Sequence, residues 1–541
     1  MGLKMRLIFC LALATFSATL ISACSGGEGS TTSSTSSNTS NPALSQTTAA
    51  VSDLALNGYN VTQGNVFLFE NTSCPQFVAI FGSCFGNNAA APYIIPQPPI
   101  ENSYVDPYYA VPLNTPGPNG VTTNIAYRLS DNDALITVVN YPSTGAYFGY
   151  QSYVFSSLTS NYTQSHPLQV LSPDPSRFEI FGSVGNNLNN IVVTNQGGSP
   201  WNGKIITYVT SSNELIANDI VSKLKAKGVN PDSIMIEKLG PNVITGNTQA
   251  ADDLITLIKY ALPQNQNSAN AWYSSISSNV LVYKVSAPNV GVVRYPTHQY
   301  TARTGTVETQ LTAALDELAS LLQSWSITNT TLGSLSAVTT SSFTRTTLDD
   351  LKGIPVGLVG GDCIRKGTIC AGDDQDTSTY AFSPKFDLSN NSILFIAGVN
   401  HNYFSNSSYI SLSIYNAAEM AGIASSSQTN FNAVGFNSGS LTGSDTGVSS
   451  AESVLRALGL YSSASSMLKA TLQNLYISLI SKDCTIATQY CVNLNGNTLI
   501  PDTTPPTPIN IYERSYIRPG DTTAADTNIM VYPRVIGPGK E

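Results

Sequence analysis

Three alternating segments between Asn124 and Phe155 constrain the fold more than any other part of the sequence. Residues 124–129, 134–139 and 146–155 are rich in β-branched and aromatic side chains, and Asp131-Asn132-Asp133 and Pro142-Ser143-Thr144-Gly145 supply the turns between them. In the third segment Tyr147, Gly149, Gln151, Tyr153 and Phe155 alternate with Phe148, Tyr150, Ser152 and Val154. A period of two sends these sets to opposite faces, one aromatic and one mixed, as a sandwich sheet requires. Core packing explains such a tyrosine stripe, and a polysaccharide-binding platform is the functional alternative. Val66 to Phe69 adds a short apolar strand. Residues 92–118 hold eight prolines, which read as an extended crossing segment and not as a central strand. Residues 51–200 are therefore expected to form a β-sandwich-like region.

The period changes after Lys204. Residues 204–209 read as a strand, Ser211 with Glu214 as a capping box, and Leu215, Ile216, Ile220, Val221 and Leu224 as one helix face ending at Gly228. A strand at 234–236, a second helix at 249–262 and strands at 280–285 and 292–294 complete a small α/β region, ferredoxin-like in outline. A long amphipathic helix follows, with Val307, Leu311, Ala314, Leu315, Leu318, Leu321, Leu322 and Trp325 at helical spacing. Residues 201–330 form this second region. The third, 331–541, is β-rich with helices near 451–458 and 466–480, a continuous apolar strand at 393–399 and a half-exposed one at 409–415. The fold class expected is α+β and multidomain.

The leader is distinct from this body. Lys4 and Arg6 precede a charge-free run from Leu7 to Ala23, 17 residues long and short of the roughly 20 a spanning helix needs. It ends in Leu20-Ile21-Ser22-Ala23-Cys24. This stretch resembles the lipobox of bacterial lipoproteins, and the resemblance is confined to the first two dozen residues. It implies a signal peptide over 1–23, cleavage before Cys24, a lipid anchor on that sulfur, and a place in the cell envelope facing the periplasm or exterior. In a Gram-negative cell Ser25 would fit the outer membrane. The alternative is an ordinary secretory signal cut near Ala23, with Cys24 left as a free thiol. Residues 24–50 are Ser/Thr/Asn-rich with one charge, Glu28, and read as a tether with too little apolar surface to fold.

Without the leader the chain keeps 23 Lys+Arg against 34 Asp+Glu, a net charge of −11. That balance excludes nucleic acid as a partner, since phosphate contacts need a basic surface. The six cysteines beyond Cys24 stand in close pairs: Cys74 with Cys84, Cys363 with Cys370, and Cys484 with Cys491. Neighbour pairing into disulfides suits an exported chain. Metal binding by these pairs is disfavoured, because no CxxC occurs and no histidines stand at HxH or HExxH spacing.

Signals for chemistry are sparse. No GxSxG elbow, GxGxxG or P-loop occurs. His401 closes the apolar strand at 393–399, where a general base can sit, and is the candidate catalytic residue. Asp374, Asp376 and Ser378 alternate as the opening of a calcium loop does, although the glycine and glutamate of an EF-hand are missing. Apart from that candidate Ca2+, no cofactor is expected. The function this sequence implies is a membrane-anchored extracytoplasmic lipoprotein that binds or scaffolds envelope protein or polysaccharide. An extracytoplasmic hydrolase using His401 and nearby carboxylates is the alternative.

Overall fold

The computed structural model describes residues 41–85, 88, 91–100, 113–161, 174–197, 201–288, 290–297, 301–328, 338–342, 344–345, 377–383, 385–387, 393–416, 421–425, 450–482, 491–494 and 508–538. Pro42–Glu541 is one compact unit. The protein is α+β, with four larger sheets and one short hairpin among the described residues.

The first half supplies β1 (Asn60–Gln63), β2 (Asn65–Phe69), β3 (Tyr93–Gln97), a small hairpin of β4 (Thr115–Pro116) and β5 (Thr122–Thr123), β6 (Ala126–Tyr127), β7 (Asp133–Asn140), β8 (Gly145–Leu158), β9 (Arg177–Ser183), β10 (Ile205–Ser211), β11 (Ile234–Lys238), β12 (Asp253–Pro263) and β13 (Val280–Ser286). They build a five-stranded sheet, β1-β13-β7-β10-β11, and a six-stranded sheet, β2-β3-β12-β8-β9 with β6 also on β12. Tyr127, Leu135, Phe148, Tyr150, Tyr208, Leu254 and Ile258 interdigitate between the two sheets as one core. On the outer face of the five-stranded sheet lie two helices, Pro42–Ser52 and Glu214–Ala226, through Val51, Ile216, Ile220 and Leu224.

The second half repeats this plan strand for strand. Its strands are β14 (Val338–Ser342), β15 (Thr344–Arg345), β16 (Thr377–Phe382), β17 (Phe386–Asp387), β18 (Ile393–Val399), β19 (Tyr409–Asn416), β20 (Ala421–Ser425), β21 (Leu475–Ser481), β22 (Cys491–Asn493), β23 (Pro508–Tyr516) and β24 (Arg534–Pro538). The sheets run β14-β24-β18-β21-β22 and β15-β16-β23-β19-β20, with β17 also on β23. Leave out the β4–β5 hairpin, and the eleven strands of each half correspond in chain order. Each strand pairing of the first half has its counterpart in the second with the same sense. That includes the single parallel pair of each half, β10 with β11 and β21 with β22. Helices cover the second five-stranded sheet as well, Thr312–Thr328, Ser450–Ala457 and Ser466–Thr471 packing on it through Leu315, Leu318, Leu322, Val454 and Leu468. Of these only Thr312–Thr328, which precedes β14 as Pro42–Ser52 precedes β1, has a counterpart in chain order; Glu214–Ala226 joins β10 to β11, whereas the other two lie between β20 and β21.

Several expectations change. The boundary expected at residue 200 runs through both sheets, because β7 pairs with β10 and β13, and β8 with β12. Of the ferredoxin-like outline β10, its helix, parallel β11 and the strand expected at 280–285, which is β13, remain. Residues 249–262 are not a helix: β12 sits between β3 and β8 with both faces covered. The last residues of the tether expected over 24–50 belong instead to a helix, Pro42–Ser52, which buries Thr47, Ala50 and Val51; residues 24–40 lie outside the described residues. β3 is internal despite Pro96. Its pairing with β12 covers Tyr93 and Ile94 alone, so the proline's missing donor is not needed there. The helix start at Glu214 is capped by Asn213, whose side chain accepts from Leu215 N; the Ser211 hydroxyl donates instead to the Asp133 carbonyl. The helix at 466 stops at Thr471 and the chain becomes β21, and β19 is buried along its whole length.

The two halves meet through the outer faces of their six-stranded sheets. Lys259 on β12 is buried there, with its ammonium 3.7 Å from the ring centre of Tyr516 and 5.0 Å from that of Tyr409. Tyr93 and Tyr147 complete the surround at 5.9 and 6.0 Å, and the ammonium donates to the Tyr516 hydroxyl. Asn88 ties the halves further, donating to the Tyr516 hydroxyl at 3.3 Å and accepting from Ser411 at 3.4 Å.

Candidate functional site

His401 follows β18, which the apolar run from Ile393 to Val399 places at the centre of its sheet between β21 and β24. Asn400 N donates to the Asn474 carbonyl, and Asn406 N closes the turn on the His401 carbonyl at 3.0 Å. The imidazole points inward and is wholly buried. Its Nδ1 lies 2.9 Å from both carboxylate oxygens of Glu308, and its Nε2 3.4 Å from Glu513.

Each carboxylate is fixed in turn. Glu308 precedes the Thr312–Thr328 helix and accepts from Asn406 Nδ2 at 2.8 Å and from Val531 N at 3.0 Å. Glu513 projects from β23 into the space between the sheets and accepts from the Tyr476 hydroxyl at 2.8 Å. Burial alone would push the imidazole pKa down, but the charges of Glu308 and Glu513 outweigh it and raise the value to about 10. Burial next to Glu513 raises the Tyr476 hydroxyl well above the ordinary phenol range. At neutral pH His401 is thus an imidazolium that donates from both nitrogens. A general base needs a free lone pair and a substrate within reach. This ring has neither, and it joins three parts of the chain: the segment leading into the helix, the β18–β19 turn and β23.

The first half buries charge at different positions. Asp253 on β12 accepts from Arg128 Nε at 2.8 Å and lies 3.0 Å from Arg177. Glu237 on β11 accepts from Ser152 and Thr210 between the sheets, and burial raises its carboxyl pKa. The aromatic stripe of β8 is also internal. Phe148 and Tyr150 belong to the inter-sheet core, and Tyr147 faces the second half.

Cys74 and Cys84 form the expected disulfide, with Cα atoms 5.3 Å apart. Cys491 opens β22 and is disulfide-bonded, while Cys484, Cys363 and Cys370 lie outside the described residues. So do Cys24, Asp374 and Asp376; Ser378 stands in β16. Among the described residues no group of His, Cys, Asp or Glu is placed to hold a metal ion, and no helix is long and apolar enough to cross a membrane. Sequence reasoning found His401 but not its partners Glu308 and Glu513, nor Lys259. Their one signal is scarcity: charged residues are 11% of the chain, so a lone acid inside a strand such as β23 stands out.

No protein-family model matches the chain, and no curated protein matches it in sequence. Among solved structures it is similar to the VPA0106 protein from Vibrio parahaemolyticus, at 8% identity over 86% of this chain and 99% of that one, with a TM-score of 0.31. A likeness at that level carries no argument about fold or function.

Proposed function

We propose that the protein is a lipid-anchored extracytoplasmic lipoprotein with a binding or scaffolding role at the cell envelope. One observation carries this reading: the charge-free run from Leu7 that ends in Leu20-Ile21-Ser22-Ala23-Cys24. The Cys74–Cys84 disulfide is in keeping with an oxidising compartment. The hydrolase alternative draws no support from His401, which is enclosed and paired with two carboxylates. The polysaccharide alternative draws none from β8, whose tyrosines are spent on packing.

Metabolic labelling with an acyl-chain probe tests the anchor. The wild-type protein should carry the probe and sediment with membranes, and Cys24→Ser should lose both properties. Equal labelling of the variant would overturn the reading.

A further inference from the structure

Each half carries a glutamate between its sheets, and the two are balanced differently. Glu513 has the His401 imidazolium against it. Glu237, on β11 and 3% exposed, has no such partner. Among the described residues no cationic side chain forms an ion pair with it. Its contacts are one amide and two hydroxyls. Ser152 N donates to Oε1 at 2.6 Å, and the hydroxyls of Ser152 and Thr210 lie 2.5 and 2.7 Å from Oε2. Ser152 belongs to β8 and Glu237 to β11, so the carboxyl bridges the two sheets of the first half.

Both hydroxyls continue into chains that reach a phenol. Ser152 Oγ meets Thr256 Oγ1 at 2.8 Å, and the Tyr127 hydroxyl closes that branch at 2.6 Å. Thr210 Oγ1 meets the Tyr150 hydroxyl at 3.0 Å, with Thr137 Oγ1 3.5 Å beyond. The titratable groups around the carboxyl are Tyr127 of β6, Tyr150 of β8 and Tyr208 of β10, with Tyr141 behind Tyr208; β7 and β12 contribute Thr137 and Thr256. Burial pushes all four phenols up, so they are neutral. A carboxylate buried without a cation is costly, and taking up a proton removes that cost. Burial accordingly holds the Glu237 carboxyl above the usual carboxylate range, against the opposing pull of its three donors.

We propose that Glu237 keeps its proton at neutral pH and acts as a pH-sensitive latch between the two sheets of the first half. Oε1 accepts from the Ser152 amide. Oε2 accepts from the branch that runs from Tyr127 through Thr256 and Ser152, and its own proton is donated into the branch through Thr210 and Tyr150 to Thr137. Ionisation reverses the second branch and leaves a charge between the sheets with no counterpart of His401. The folded state holds this proton more tightly than the unfolded chain does. The latch therefore contributes fully below pH 4.5, the ordinary glutamate value, and its contribution is lost as pH rises through the raised folded value.

Infrared spectra at pH 7 of wild type and Glu237→Gln test the proton. Wild type should show the carbonyl band of an un-ionised carboxyl that the variant lacks. Carbon-13 labelling of glutamate side-chain carboxyls in wild type reads the same band without a substitution, and the band should shift. Urea unfolding across pH tests the latch. Glutamine keeps both bridging atoms and does not titrate, so above pH 4.5 the wild-type unfolding constant should rise relative to the variant's, by up to about tenfold per pH unit. No band lost in the variant and none shifted by the label would overturn the proposal. So would pH curves of the two proteins that run parallel.

Discussion

His401 shows what a single residue in sequence conveys and what it omits. Its place at the end of an apolar strand was legible, because Ile393 to Val399 has no polar interruption. Its role was not, since Glu308 and Glu513 approach from 93 and 112 residues away. The chemistry follows from those partners. With a folded pKa of about 10 against 6.5 for the free side chain, the clamp contributes fully below pH 6.5. That contribution is lost as pH rises towards 10. Thermal melts should therefore show stability falling between pH 7 and 10, and His401→Gln should flatten that slope. The same variant leaves two buried carboxylates without their cation, at a cost of about 3–5 kcal/mol near neutrality. A His401→Gln protein as stable as wild type at pH 7 would contradict the clamp.

At the scale of elements, helices that face a sheet on one side were readable, and strands covered on both faces were not. The Thr312–Thr328 helix follows its apolar spacing, with Leu315, Leu318 and Leu322 fully buried. Val307, placed on that face by spacing alone, lies before the helix and is half exposed. Leu318→Ala should cost about 2–5 kcal/mol in chemical denaturation, against less than about 0.5 for Ile327→Ala on the exposed side; equal costs would put the helix in the wrong orientation. β12 misleads for the opposite reason. Leu254, Ile255, Leu257, Ile258 and Ala261 satisfy a helical stripe as well as two strand faces, so a doubly covered strand reads like a helix. Long-range pairing with β8 settles it, and nothing local encodes that pairing.

At the scale of the molecule, the repeat of eleven strands was invisible in sequence. β10 reads IITYVTS where β21 reads LYISLIS, and β12 carries Lys259 where β23 carries Glu513 and Arg514. What the halves share is strand order, pairing sense and a helix-covered outer sheet, all of which tolerate any apolar side chain of fitting size. What joins them is specific: a buried lysine among four tyrosines, where desolvated cation–π contacts reach about 2 kcal/mol. The central claim is that two equivalent halves are locked into one body through this contact. Differential scanning calorimetry of wild type and Lys259→Ala tests it most directly. The account predicts one cooperative transition for wild type and a lower, divided pair for the variant; two transitions in wild type, or an unchanged single one in Lys259→Ala, would contradict it.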